Sequence, residues 1–280
     1  MNATAKPARR GRRPQWLLDS VAFLFGRDAA IVADRYAAEF DARLLIVDSP
    51  RGPEPRRIMV SVNHDGQLTQ QSAMSLLRPE KLIYDYERLM TLALAAVPEP
   101  RSALLLGLGG GTTVRFARRY FPATELTIVE RDDTVTRLAR DWFGFAGPVI
   151  EADANEFVAE TELGFDVVLV DLYDGGGFAE VQKRFWEKVF KLLRPKGCLA
   201  VNWADPDKNE SYRAHAARLA RLAEATLFAT PRGFKDNTVQ FASSDPAFSQ
   251  RALRLASVAL AKKQRRRDIL DRCAILDRLP

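Results

Sequence analysis

Leu106-Gly107-Leu108-Gly109-Gly110-Gly111-Thr112-Thr113 stands directly after the apolar run 103–106 and directly before a stretch that reads as a helix over 113–120. Four glycines in five positions exceed what a plain turn needs. Without a Cβ the backbone turns tightly and a ligand can approach the main chain, while the helix that follows presents free N–H groups. Nucleotide binding is the expectation, through Gly107, Gly109, Gly110 and Gly111. The third glycine of a G-x-G-x-x-G pattern would fall at Thr112, and no lysine stands where a P-loop needs one, so NAD and ATP drop in rank.

Outward from this loop, strands alternate with helices. Nearly continuous apolar runs at 103–106, 125–129, 149–151, 165–170 and 198–203 suit a parallel sheet covered on both faces. Helices are expected over 113–120, 132–143, 154–160, 179–193 and 209–225. A closing hairpin pairs 225–230 with 238–242 around Arg232-Gly233-Phe234-Lys235. Right-handed crossovers make this an α/β protein with a doubly wound, Rossmann-like sheet whose ligand crevice lies at the carboxyl ends of the strands. Upstream, 16–40 reads as a helix, 43–47 and 57–62 as β segments, His64-Asp65-Gly66 as a turn, 67–75 as a polar stretch and 79–97 as one helix stopped by Pro98-Glu99-Pro100. The expected organisation is a basic tail over 1–15, a small helix/β region over 16–100, the nucleotide-binding domain over 101–245 and a basic helical tail over 246–280.

The 280 residues, 47% hydrophobic and 28% charged, have ordinary globular composition. The net charge of +6 is concentrated at the ends: 1–13 holds five Lys/Arg and no acid, and 251–280 holds nine against three Asp. The body between is acidic, so both ends read as solvated tails and nucleic acid is not the expected partner. The longest apolar candidate, 16–25, is short and interrupted by Asp19, so neither a membrane span nor a secretory signal is expected. Cys198 and Cys273 stand far apart without a CxxC or a histidine cluster. A disulfide framework and a cysteine-based zinc site are excluded, and a reducing, cytoplasmic location is expected.

Carboxylates end the successive strands. Glu130, after the second, is placed to accept from two ribose hydroxyls. Asp153, after the third, can accept from an exocyclic adenine amine or cap the next helix, and the two roles are compatible on different oxygens. The apolar strand 165–170 ends in Asp171-Leu172-Tyr173-Asp174-Gly175-Gly176-Gly177. Asp171 and Asp174 would orient a cationic amine, and one of them could take its proton during attack on an electrophilic carbon. No histidines accompany them, so no metal is expected.

The run 103–242, with Asp65-Gly66 and the Tyr84/Tyr86 helix upstream, resembles the spermidine/spermine synthase (aminopropyltransferase) family. The matching features are the Gly-Gly-Gly loop, Glu130, the Asp153 turn, Asp171-x-x-Asp174 and the Leu193-Arg194-Pro195-Lys196-Gly197 turn. The resemblance implies a methyltransferase-type Rossmann domain behind a small β domain. It implies a cytoplasmic transferase that moves an aminopropyl group from decarboxylated S-adenosylmethionine to a polyamine such as putrescine. Glu130 would hold the ribose and Asp153 the adenine; the Asp171/Asp174 pair would handle a small-molecule amine acceptor, with Asp171 as base and a tyrosine, Tyr84 or Tyr86, assisting; Tyr84 is taken as the candidate. A homodimer is compatible with this reading. Two departures stand out: Thr112-Thr113 follow the glycines where the family has Asp-Gly, and Leu172-Tyr173 replace two serines. The first keeps a rival open, methyl transfer from S-adenosylmethionine itself; a non-catalytic nucleotide-binding homologue is the other.

The remaining side chains have plainer readings. His64 and His215 are structural or solvent-facing, Trp142 and Trp186 pack, Cys198 is a buried small hydrophobe, and Trp203 either packs as they do or, from the end of its strand, lines the crevice.

Overall fold

The protein is described by a computed structural model over residues 13–39, 41–173, 179, 181–182, 184–204, 206, 211–232 and 237–278. Helix α1 (Gln15–Phe25) lays Leu17, Val21 and Phe25 on one face of an antiparallel meander: β1 (Ala30–Ala37), β2 (Ala42–Ser49), β3 (Arg56–Val62) and β4 (Leu68–Ser75). The helix expected over 16–40 ends at Phe25. Gly26 takes a φ of 104°, and the segment after it, with Ile31 and Val32 suited to extended backbone and Ala33 and Ala37 buried, is strand β1. The polar stretch at 67–75 is likewise a strand, β4, which buries its last four residues.

Two short helices follow, α2 (Asp85–Met90) and α3 (Leu92–Ala96). The single helix expected over 79–97 is broken at Thr91, whose hydroxyl donates back to the Arg88 carbonyl at 2.9 Å. The main domain then runs β5 (Ser102–Leu106), α4 (Thr112–Tyr120), β6 (Glu125–Glu130), α5 (Asp133–Phe143), β7 (Ile150–Glu151), α6 (Ala154–Glu160), β8 (Phe165–Val170), α7 (Phe185–Lys191), β9 (Leu193–Ala204), α8 (Tyr212–Leu222), β10 (Ala225–Pro231) and β11 (Asn237–Ser243). The chain closes with α9 (Gln250–Gln264), a 3-10 turn (Ile269–Arg272) and β12 (Cys273–Leu276).

The eight strands lie in the order β12-β10-β11-β9-β8-β5-β6-β7. From β7 to β9 the neighbours are parallel, and β11, β10 and β12 complete the sheet antiparallel. The chain leaves β5 first toward β6 and β7 and then returns to its other side for β8. That reversal opens a crevice beyond the strand ends, which is where such sheets bind ligands. Side chains alternate between two cores. Leu105, Val167, Leu169 and Ala200 face α3, α4 and α9, whereas Leu104, Val168, Val170 and Val201 face α6, α7 and α8.

Trp203, for which the sequence left the crevice and the core both open, is only 1% exposed and belongs to the core. It packs between Trp186 and Tyr212 and donates to Gln240 Oε1 at 3.0 Å, because its position on β9 falls on the α7/α8 face. The basic C-terminal segment is more than a helical tail: Leu253, Leu260, Ile269, Leu270 and Cys273 enter the core, and β12 pairs with β10. The small meander rests its second face, through Leu44, Ile46 and Met59, on Val135, Leu138 and Phe143 of α5. Arg57 bridges the joint, paired to Asp48 and donating to the Trp142 carbonyl at 2.8 Å. Among the described residues no helix is long and apolar enough to cross a membrane.

Candidate active site

The crevice at the ends of β5, β6 and β8 is a cavity of about 900 Å³ that reaches under the meander and α2. The glycine loop forms its floor. Gly107 donates to the Val129 carbonyl at 2.9 Å with a φ of 96°, and a Cβ there would collide with the Asp171 carbonyl oxygen. Only glycine fits so close a crossing of two chain segments. Gly109 also faces the cavity, whereas Gly110 and Gly111 are packing positions, where a Cβ would come within 2.8 Å of Phe143 and Phe145 respectively.

Glu130 ends β6, is 7% exposed and lines the cavity. One of its oxygens accepts from the Leu108 N–H and the other from the Asp132 N–H, both at 3.0 Å, so the carboxylate ties the glycine loop to the end of β6. Burial pushes its pKa up against those hydrogen bonds. Asp153 caps α6 through Oδ1, accepting from the Asn155 N–H at 2.7 Å, and turns Oδ2 toward Arg131 at 3.7 Å.

Asp171 follows β8 and borders the same cavity. Its Oδ1 accepts from Asn202 Nδ2 at 2.8 Å, and the Tyr86 hydroxyl bonds to the carboxylate. Burial raises its pKa, an effect these two hydrogen bonds oppose. Of the two tyrosines, Tyr86 is the one that meets Asp171. Tyr84, the candidate in sequence, stacks on the Tyr86 ring at 5.8 Å and donates to Gln70 Oε1 at 2.9 Å, because it precedes the first turn of α2 and faces β4. Leu172 and Tyr173 line the cavity, and Asp174 lies outside the described residues.

Sequence reasoning passed over Glu87 and Asn202. Glu87, on α2, is 3% exposed and accepts from the Thr112 hydroxyl at 2.5 Å and from the Tyr84 N–H at 3.3 Å. Burial pushes its pKa up to about 7. Thr112, where the resemblance implied a loop acid, reaches instead a carboxylate supplied by another element. The pattern Tyr-x-Tyr-Glu carried no spacing that would announce this. The histidines keep structural partners: His64 pairs with the exposed Asp41, and His215 Nδ1 accepts from Trp186 Nε1 at 2.9 Å.

A mostly parallel sheet, a glycine loop after its central strand and acids at the ends of β6 and β8 make this a methyltransferase-like, Rossmann-type α/β fold. The profile of the spermine/spermidine synthase domain matches residues 82–243. A polyamine aminopropyltransferase of Chromobacterium violaceum is 31% identical over 195 residues, which are 67% of this chain and 74% of that protein. A probable spermidine synthase of Corynebacterium glutamicum superposes with a TM-score of 0.67 at 18% identity, covering 89% of this chain and 91% of its own. A spermidine synthase in complex with the transition state analogue AdoDATO gives 0.61 at 18% identity, over 83% and 87%. The chain belongs to the spermine/spermidine synthase family and is, like its relatives, a transferase.

Proposed function

We propose that the protein transfers the aminopropyl group of decarboxylated S-adenosylmethionine to an amine acceptor of the polyamine type, with putrescine as the reference acceptor. The observation that carries this reading is Asp171. A desolvated carboxylate, oriented by Asn202 and Tyr86, borders the cavity that Glu130 and Asp153 share. The nucleoside would lie along the ends of β6 and β7. Its ribose hydroxyls would meet Glu130 and its adenine Asp153, whose Oδ2 is not used in the helix cap. Glu87, which accepts from Thr112, stands beside the glycine loop, and a cationic aminopropyl group extending there would favour its charged form over the protonated one.

In the reaction the acceptor nitrogen attacks the propyl carbon next to the sulfonium. A C–N bond forms, the C–S bond breaks with its electron pair going to sulfur, and methylthioadenosine leaves. Asp171 takes the proton that the amine sheds, and Tyr86 and Asn202 hold the carboxylate in line. Asp174 is proposed to share the charge of the amine. The positive sulfonium is already an activated leaving group, and the nucleoside needs no further activation.

Decarboxylated S-adenosylmethionine with putrescine, and S-adenosylmethionine with the same amine, test this when methylthioadenosine is followed against S-adenosylhomocysteine. Methylthioadenosine release that depends on Asp171 is the expected result. Release of S-adenosylhomocysteine instead, or tight nucleoside binding with neither product, would overturn it.

A further inference from the structure

Beside the glycine loop the cavity adjoins a chamber of about 30 Å³, room for one water-sized group. Tyr86, Gly107, Leu108, Gly109 and Asp171 border both spaces, whereas Glu87 of α2 and Thr112 of α4 border the chamber only. No Lys or Arg stands among its described lining residues, so two desolvated carboxyls, Glu87 and Asp171, face a space that supplies no cation. Glu87 Oε1 accepts from the Thr112 hydroxyl at 2.5 Å and Oε2 from the Tyr84 N–H at 3.3 Å, which fixes the carboxyl on the chamber wall.

The ionisable groups around Glu87 leave its charge uncompensated. Burial first, and then repulsion from Asp171 at the end of β8, hold its pKa up to about 7 against the hydrogen bonds from Thr112 and the Tyr84 N–H. Tyr84 and Tyr86 are phenols that burial pushes up, so neither carries charge at neutral pH. Arg115 of α4 feels the charge of Glu87, but its guanidinium donates to the Pro79 carbonyl at 3.2 Å and to the Phe143 carbonyl. Two neighbouring carboxyls without a cation between them retain a proton well above the usual carboxylate range. An ammonium in the chamber brings the missing charge and three donors, and with it both carboxyls favour their ionised forms.

We propose that Glu87 reads the positive charge of the donor by exchange: the terminal ammonium of the donor's arm enters the chamber, and the proton of the Glu87 carboxyl passes to solvent. This rests on the reading that the donor is decarboxylated S-adenosylmethionine. The carboxyl O–H is the one bond broken, and the ammonium keeps its three protons. A nucleoside with an uncharged arm leaves Glu87 protonated, so the chamber selects the charge of the arm rather than its length.

The test titrates three ligands into the full-length protein by calorimetry: decarboxylated S-adenosylmethionine, methylthioadenosine, and the S-butyl sulfonium of methylthioadenosine, in which a methyl group stands in place of the ammonium. Each titration is run from about pH 5.5 to about pH 8.5 in two buffers of different ionisation enthalpy, which counts the protons released. Decarboxylated S-adenosylmethionine should release close to one proton at about pH 6 and almost none at about pH 8, its affinity falling roughly tenfold for each unit of pH below about 7. The other two ligands should lack that release. Glu87→Gln should erase the difference between the ligands, whereas Asp171→Asn should keep it, shifted to lower pH because the repulsion from Asp171 is gone. If the Gln variant does not fold, the comparison of ligands in the wild type decides on its own. Equal proton release by decarboxylated S-adenosylmethionine and the butyl sulfonium, release that survives Glu87→Gln, or no binding of the decarboxylated donor would overturn the proposal. The titrations contain no acceptor and are independent of turnover. Proton exchange without methylthioadenosine release on adding putrescine would remove the aminopropyl reading and leave the ammonium chamber standing; Asp171-dependent transfer without proton exchange would do the reverse.

Discussion

At the scale of single residues, two buried carboxyls carry opposite predictions about pH. Asp171 has its pKa raised by burial, so its base form appears only as pH climbs above the usual carboxylate range of about 4. The acid limb of kcat/KM is therefore expected above that range. Asp171→Asn should lower kcat ~10²-fold or more, abolish that limb and leave methylthioadenosine affinity little changed, because Asn keeps the size but cannot take a proton. Glu87 bears on stability. A carboxyl that ionises near 7 in the folded chain and near 4.5 when unfolded binds its proton more tightly in the folded state, so stability falls as pH rises between those values. The loss is at most about 3 kcal/mol. Thermal melts of Glu87→Gln, which still accepts from Thr112, should show a smaller drop between pH 5 and pH 8 than those of the wild type. An identical drop would mean that Glu87 does not titrate there. Glu130 and Asp171 were legible in sequence because each follows an apolar run at a strand end. Glu87 was not, since its importance depends on Thr112, which lies 25 positions on and on a different helix.

At the scale of elements, the glycine loop and the last strand make the sharper claims. Gly107→Ala places a methyl group on the Asp171 carbonyl at a φ of 96°. We expect a loss of roughly 1–3 kcal/mol in denaturant unfolding, with transfer falling further because the base itself is displaced. A variant as stable and active as the wild type would show that the β5 and β8 ends relax freely. Truncation after Gln264 removes β12 and the core residues Ile269, Leu270 and Cys273, and uncovers the β10 edge. At about 1.5–3 kcal/mol for each large buried side chain, a loss of several kcal/mol and a tendency to aggregate are expected, measured as the unfolding midpoint and by light scattering. The parallel strands were legible as apolar runs. The start of β1 was not, because Ala-Ile-Val-Ala is compatible with helix or strand, and what decided it was the turn at Gly26 and pairing with β2.

At the scale of the molecule, the acidic body and basic ends divide differently from the sequence expectation. Deleting residues 1–12 should leave methylthioadenosine affinity within about twofold, since their Pro- and Arg-rich sequence without periodicity reads as a solvated tail. A large loss would bring that arm into the site. The C-terminal cations, in contrast, line the cavity through Arg266 and Arg272. The sequence by itself determined the α/β class, the order of the parallel strands along the chain, the glycine loop and the acids Glu130, Asp153 and Asp171. All of these follow from local patterning: apolar runs, a glycine cluster and the residue that ends each strand. Only the tertiary structure decided that Tyr86 rather than Tyr84 meets Asp171, that Asn202 orients it, that Glu87 stands behind Thr112, that Trp203 is core, and that the basic C-terminus closes the sheet and arms one wall of the cavity. Each of these is a contact between residues far apart in the chain. Such contacts are fixed by how the sheet twists and which strand edge remains open, and neither leaves a periodic trace in the sequence.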